Sequence, residues 1–427
     1  MSTTVNLGVD GLPILTFIRG GTFWVFLFNG DEEPVGTFDA WSSPDGVTWN
    51  LVATGPQSPG WGIGSSGFET DGGVANWDGA DTVTLAYQAY DPAVFFGDNF
   101  LIDFDLNAGT WGAPYAEQTI RNTLGFGPYG IFRLSNGDIT VLYFDEAVDD
   151  TPAKIQTWNG SSWSALVDVC AGAEALPGFD PTQVAFFFAA AVLDSSDVVH
   201  VIYAANSDTL AGWIGNRFFY QEVAPGNTLQ NFQEFPGQTG PNPDLAPLSI
   251  GTAPNLVIQG GKLYWGIVRN SGLTTYASMY VGFPLINPSW SELGDLFPGV
   301  ALGFPAPSFG FDGTSQYLGI GAPEFSYAVL SSDGFATFTN STITDAGEPN
   351  IGPYNPFFLF TTSQYIVSGG VANEGLPNPV QITSFGAAPP PPPVIKITFR
   401  GVKRVRCSPI EDVVEMPPEL PGVERAM

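Results

Sequence analysis

Seven segments of the chain alternate apolar and polar residues, and each opens on or follows a turn-forming residue. They are 21–28 (GTFWVFLF), 81–90 (DTVTLAYQAY), 137–144 (GDITVLYF), 197–204 (DVVHVIYA), 261–268 (GKLYWGIV), 315–322 (SQYLGIGA) and 363–370 (SQYIVSGG). A period of two over so short a run predicts half-buried β-strands. The equivalent positions are Phe23, Val83, Ile139, Val199, Leu263, Tyr317 and Tyr365; six intervals span 342 residues, a mean of 57. Each segment is preceded by a further short strand and a tight turn, as in 130–143 (GIFRLSNGDITVLY), which is a hairpin pattern.

A second marker keeps step with the first. Later in each repeat a turn closes on Ser or Thr and an aromatic residue, giving Trp49, Trp111, Trp163, Trp290 and Phe338, with Phe232 a looser fit in the fourth repeat. Two markers in one register imply a unit of four short strands, and four strands in roughly 40–60 residues make a propeller blade. The expected fold is all-β: a seven-bladed β-propeller over 1–386, with six or eight blades as alternatives. The last repeat is one strand short. The N-terminal segment 3–8 (TTVNLG) could supply that strand, which would close the ring and remove two exposed sheet edges. Five prolines at 389–393 then mark a stiff hinge over 387–393, and a C-terminal extended tail follows over 394–427.

Composition agrees with many strands and tight turns: 44% hydrophobic, 13% charged, 52 glycines and 37 prolines in 427 residues. Net charge is −29. Seven of the 13 basic residues precede the prolines and six lie in the tail, so the body is about as acidic as the whole. Such a surface repels phosphate backbones and excludes nucleic acid as a partner of the body. The first residues lack the basic and apolar regions of a signal peptide, and no apolar run is long enough for a membrane span. Cys170 and Cys407, 237 positions apart, read as free thiols, with a bridge from tail to body as the alternative.

The run Ser43-Pro44-Asp45-Gly46-Val47-Thr48-Trp49 resembles the Asp-box of sialidase-type (BNR) propellers, one residue shorter than usual. Ser331-Ser332-Asp333-Gly334-Phe335-Ala336-Thr337-Phe338 resembles a degenerate second copy with Phe338 in the aromatic place. The resemblance implies a structural hairpin turn on the face away from the active site. In it the Asp accepts backbone N–H bonds and the aromatic packs between sheets, so Ser43, Asp45, Gly46, Trp49, Ser331, Asp333, Gly334 and Phe338 are turn residues rather than catalysts. A sialidase also needs a triad of arginines, a Tyr–Glu nucleophile pair and an acid/base Asp. The body has five arginines, and only Arg133, in FRLSNGD, echoes the family's Arg-Ile-Pro strand, without its proline. Three converging arginines are not found.

His200, inside an alternating strand, is the single histidine, which leaves no room for Ser–His–Asp catalysis or a histidine metal site except around it. The loops after the alternating strands should gather on one face, where family members bind ligand. They carry Asp31, Glu32, Glu33, Asp91, Asp98, Asp145, Glu146, Asp149, Asp150, Asp208, Glu324 and Glu374. Two readings stand: a solvated acidic rim, or a calcium site centred on Asp145, Glu146, Asp149 and Asp150. Trp61, Tyr90, Phe95 and Trp213, with Arg133, are the candidate ligand-binding residues, since sugar rings stack on aromatics beside oxygen acceptors.

In the tail, Ile395, Ile397 and Phe399 alternate with Lys396, Thr398 and Arg400, and Lys403, Arg404 and Arg406 follow. One amphipathic strand cannot fold alone, so the segment is expected to anchor the protein by strand addition to a partner, including a neighbouring copy of this chain. Three functions remain open. The first is a non-enzymatic propeller head for glycan or receptor recognition, held in a virion-type surface assembly. The second is a purely structural decoration or connector subunit. The third is a glycoside hydrolase.

Overall fold

The computed structural model describes residues 3–29, 37–55, 62–63, 73–91, 96–118, 127–144, 153–207, 210, 217–235, 255–271, 274–292, 308–311, 316–320, 325–330, 338–343, 357–360, 364–368 and 379–384. The chain divides into two compact units, Met1–Pro389 and Pro390–Met427. The anchor candidates Ile395, Ile397, Phe399, Arg400, Lys403, Arg404 and Arg406 fall in the second unit and outside the described residues.

The first unit is all-β. Among the described residues the one helix is the four-residue Ala171–Glu174, and none is long and apolar enough to cross a membrane. The described strands form seven antiparallel sheets that follow one another along the chain. The first sheet is Leu12–Arg19, Thr22–Asn29, Thr37–Ser43 and Asn50–Thr54, paired in that order. The third (from Gly127–Arg133), fourth (from Ala185–Leu193), fifth (from Leu256–Gln259) and sixth (from Ser308–Phe311) repeat the plan. The second sheet keeps it with interruptions: Gly62–Ile63 and Gly73–Trp77 both pair with Thr82–Asp91, while Thr110–Trp111 and Tyr115–Gln118 both pair with Phe96–Asp105. In the seventh, Phe357–Phe360, Gln364–Ser368 and Pro379–Ser384 are completed by the N-terminal strand Thr3–Asp10, whose Val5 faces Ile382.

The seven alternating segments of the sequence are the second strands of the seven sheets. One expectation about them changes. Thr22–Asn29 is not half-buried: Phe23 through Phe28 are all buried. Phe23, Val25 and Leu27 pack with Ile382 of the seventh sheet, whereas Trp24, Phe26 and Phe28 pack with Val83, Leu85 and Phe104 of the second. The fourth sheet does the same. Val201, Tyr203 and Ala205 face the third sheet, and Ile202 and Ala204 face the fifth. Each such sheet is a layer between two others, so both faces of its strands are apolar. First strands also meet in sequence: Leu12–Arg19 lies against Gly73–Trp77, that against Gly127–Arg133, then Ala185–Leu193 and Leu256–Gln259, while Phe357–Phe360 touches both Ser308–Phe311 and Leu12–Arg19.

The five marker aromatics whose side chains are described share one job. Trp49 packs with the core between the seventh and first sheets, Trp111 between the first and second, Trp163 between the second and third, Phe232 between the third and fourth, and Trp290 between the fourth and fifth. Each reaches back to the preceding sheet, and Phe232 holds its rank although its local sequence fits poorly.

Candidate functional site

The ends of each sheet differ in chemistry. One end carries the short hairpin turns, and these are stapled by side chains. Asp45 Oδ1 accepts from the backbone N–H of Val47 (2.8 Å) and Thr48 (2.6 Å), and Oδ2 from the Thr48 hydroxyl (3.1 Å). Ser43 Oγ accepts from Gly46 N (2.8 Å) and donates to Asp45 Oδ1 (3.0 Å). Gly46 has φ +74°, a left-handed value that costs glycine little. Trp49 Nε1 donates to Gly46 O at 3.2 Å, and its ring stands edge-on to Phe23 at 6.3 Å. The backbone bonds from Thr48 and Val47 hold the Asp45 carboxyl down at about 2. Asp105 and Asn159 do similar work in the equivalent turns of the second and third sheets, accepting from Asn107 and Ala108 N and from Ser161 and Ser162 N. Of the second copy, Ser331, Asp333 and Gly334 lie outside the described residues, and Phe338 opens the strand Phe338–Ile343.

Arg133 lies at this same end. Its Nη2 donates to Thr84 Oγ1 (2.7 Å), which donates to Asp103 Oδ1 (2.7 Å); the Tyr115 hydroxyl donates to the same oxygen (3.0 Å). Burial and the Asp103 charge push the Tyr115 phenol well up. The set ties the third sheet to the second. Thr84 is the third residue of the strand Thr82–Asp91 and Tyr90 the ninth, so at ~3.3 Å per residue Tyr90 stands about 20 Å along the strand from the Thr84 that Arg133 holds. The structure does not bring these two ligand-binding candidates together.

At the Tyr90 end emerge the loops that contain the other candidates. Trp61, Phe95, Trp213, Asp145, Glu146, Asp149 and Asp150 all lie outside the described residues, and for Tyr90 only the strand is described. Among the described residues no group of three or more His, Cys, Asp or Glu could hold a metal ion.

What the structure does place at that end was missed in the sequence. Lys154 Nζ lies 3.4 Å from Asp168 Oδ2 across the third and outer strands of the third sheet. Asp168 Oδ1 accepts from Cys170 N (2.8 Å), which starts the helix Ala171–Glu174, and Glu174 turns back toward Asp168. Burial, then the Asp168 charge, raise the half-buried Glu174 carboxyl to about 7, against the pull of Lys154. In the same place on the fourth sheet, Arg217 grips Glu234 with Nε (2.9 Å) and Nη2 (2.7 Å), its guanidinium 5.4 Å from the centroid of Phe219. The signal for these pairs was the hairpin register: folding the chain about 159–162 sets Lys154 opposite Asp168. Cys170 itself is a free, buried thiol raised well above its ordinary value by burial, which makes it unreactive.

No protein-family model matches the chain, and no curated protein sequence matches it. Solved structures do. The chain is similar to the polysaccharide lyase Uly1, at a TM-score of 0.51 and 10% identity over 90% of this chain and 91% of that one. It is also similar to an α-L-arabinofuranosidase of Fusarium graminearum (TM-score 0.49, 13% identity, 90% and 98% covered) and to the endosialidase of phage phi92 (0.46, 11%, 95% and 71%). The first of these likenesses shows a shared fold, that of β-propellers.

Proposed function

We propose that the chain is a glycan-recognising β-propeller whose seven sheets are the seven blades of one ring. The observation that carries this reading is the closure of the seventh sheet by Thr3–Asp10, since a closed ring collects equivalent loops on one side. The loops at the end opposite Asp45 form the recognition face, with Trp61, Tyr90, Phe95 and Trp213 stacking on sugar rings and Lys154 and Arg217 at its base. Ser43–Trp49 is an Asp-box that stabilises the far end. The likeness to a polysaccharide lyase supports a polysaccharide as the ligand class by analogy of fold alone. The propeller binds without cleaving; what supports this is that the sequence offers no three converging arginines of the sialidase kind among the five of its body. Residues 1–386 are the head, 387–393 the hinge, and 394–427 the anchor that adds a strand to a neighbouring subunit of a surface assembly, virion-type in its economy of one head and one strap.

The test is retention of the purified chain on a panel of immobilised polysaccharides, with calcium and with chelator, and with the eluate assayed for new sugar ends. Retention by at least one polysaccharide, lost in Trp61→Ala and Trp213→Ala and without new ends, supports the reading. Retention by none sinks it. New ends that vanish in Glu174→Gln would replace it with the enzymatic alternative, and dependence of retention on calcium would assign the acidic loop 145–150 a metal.

A further inference from the structure

A buried polar network lies at the joint between the fourth and fifth sheets. His200 is 0% exposed on the second strand of the fourth sheet, on the side that faces the fifth. Its Nδ1 is 2.6 Å from the Tyr220 hydroxyl, and that hydroxyl is 3.0 Å from Glu222 Oε1. Glu222 is also 0% exposed. Its Oε1 accepts from Asn287 N (2.7 Å) in the fifth sheet, and its Oε2 from Asn231 Nδ2 (2.7 Å) and Gln230 Nε2 (3.2 Å).

Donor and acceptor roles then follow in order. Glu222 is the acceptor in all four bonds, as a carboxylate is. The single Tyr220 proton is therefore given to Glu222, and the Tyr220 oxygen can only accept from His200. So Nδ1 carries the imidazole proton. Nε2 is left with a lone pair that points toward Asp194 Oδ2 at 3.5 Å and has no hydrogen-bond partner among the described residues. Asp194 cannot turn away, because its Oδ1 accepts from Ser196 N (2.8 Å) and Val198 N (2.9 Å).

We infer that His200 is a proton-operated release for the joint between the fourth and fifth sheets, in which one proton taken from solvent at Nε2 loosens the joint. The imidazolium so formed is buried, with Asp194 Oδ2 at 3.5 Å, an ion-pair distance longer than a normal hydrogen bond. Relief requires the ring to move toward Asp194 or water to enter between the sheets. Either movement lengthens the Nδ1–Tyr220 bond at the head of the line Nδ1–Tyr220–Glu222–Asn287, whose last link crosses between sheets. The apolar part of the joint sits on the same residues: the Trp290 ring is 5.3 Å from Tyr220 and 4.8 Å from Phe235. Among the described residues the groups that act electrically on His200 are Asp194 from the hairpin turn of its own sheet and Glu222 and Tyr220 from the next strand; the fifth sheet contributes Asn287 and Trp290, which do not titrate, and to the same core Tyr280, whose hydroxyl donates to Glu292. Burial outweighs the two carboxylates and lowers the His200 pKa, which agrees in sign: the neutral ring belongs to the closed joint.

The single histidine makes the test direct. With ¹⁵N-labelled histidine, one ring should be seen, neutral and protonated on Nδ1 at pH 7.5, and titrating below the ordinary histidine value. Amide exchange, corrected for its intrinsic pH dependence, should become severalfold faster over 285–292 and 218–223 on going from pH 7.5 to pH 5. His200→Gln can still donate to Tyr220 and cannot take a proton, so its protection should not change over that range. An Nε2–H tautomer, a ring titrating at or above its ordinary value, or unchanged protection in the wild type overturns the inference. So does the same acid response in His200→Gln. The first two readouts need no variant to fold.

Discussion

A β-carbon placed on Gly172 would lie 2.5 Å from Cδ2 and 2.6 Å from Cγ of Phe232. Gly172 belongs to the short helix that leads from the third sheet to the fourth, and Phe232 lies on the outer strand of the fourth, its ring stacked on Phe219 at 5.6 Å. The connection is therefore seated on the ring face, and glycine is required by space, not by backbone conformation. Gly172→Ala should destabilise the protein by about 1–3 kcal/mol, the usual cost of overpacking. In a Phe232→Ala background the methyl has room, so the added cost of Gly172→Ala should largely vanish in urea melts. Equal costs in both backgrounds would show that the contact is not the constraint.

Asp45 gives an acid-dependent turn. Its folded-state pKa is lowered from 3.8 to about 2, so its contribution is fully present above the unfolded value and is lost as pH falls through the folded one. Between pH 4 and pH 2 the amides of Val47 and Thr48 should lose protection before the strands they join. Asp45→Ala should show those amides unprotected at every pH, with Trp49 emission shifted to the red as its indole leaves Gly46 O.

The sheets were legible in the sequence and the polar clusters were not, for one reason. Second strands such as Val199–Asn206 are short apolar-rich runs set off by turn residues at a near-constant interval, and the Trp49, Trp111 and Trp163 markers fall at one rank because each must fill the same gap against the preceding sheet. Asp45 could be read because all its partners lie within three residues. Lys154, Asp168 and Glu174 depend on hairpin register and on a helical turn that reverses the chain, and His200, Glu222 and Asn287 depend on how two sheets pack. The expectation of half-buried strands failed at Phe23–Phe28 because alternation there separates two cores, not core from solvent. Arg133 was read from a motif echo, and its hydrogen bond to Thr84 depends on how the second and third sheets pack.

Glu174 should oppose Asp45 in sign. Its folded pKa is raised from 4.5 to about 7, chiefly by burial, so the stability it contributes is fully present below the unfolded value and is lost as pH rises through about 7. Glu174→Gln keeps a hydrogen-bond donor toward Asp168 and carries no charge. Relative to wild type it should melt at a similar temperature at pH 5 and at a higher one at pH 8. A difference that is constant between the two pH values would mean that Glu174 is not held protonated beside Asp168.

The order of the sheets predicts which core residues feel one another. Phe26 of the first sheet and Phe104 of the second are both 0% exposed, with ring centroids 5.3 Å apart at 81°. Trp24 and Trp111 close the same site around Phe104, at 5.9 and 5.0 Å. Phe104→Ala should cost about 3–5 kcal/mol, since it empties a gap that two sheets share. Phe26→Ala and Phe104→Ala should couple by about 0.5–1.5 kcal/mol in a double-mutant cycle, the range for edge-to-face rings. Phe104 and Trp265 belong to different inter-sheet cores and should give additive losses. Coupling of Phe104 with Trp265 as strong as with Phe26 would mean that the inter-sheet cores do not act as separate units, and the assignment of sheets as successive layers would fall with it.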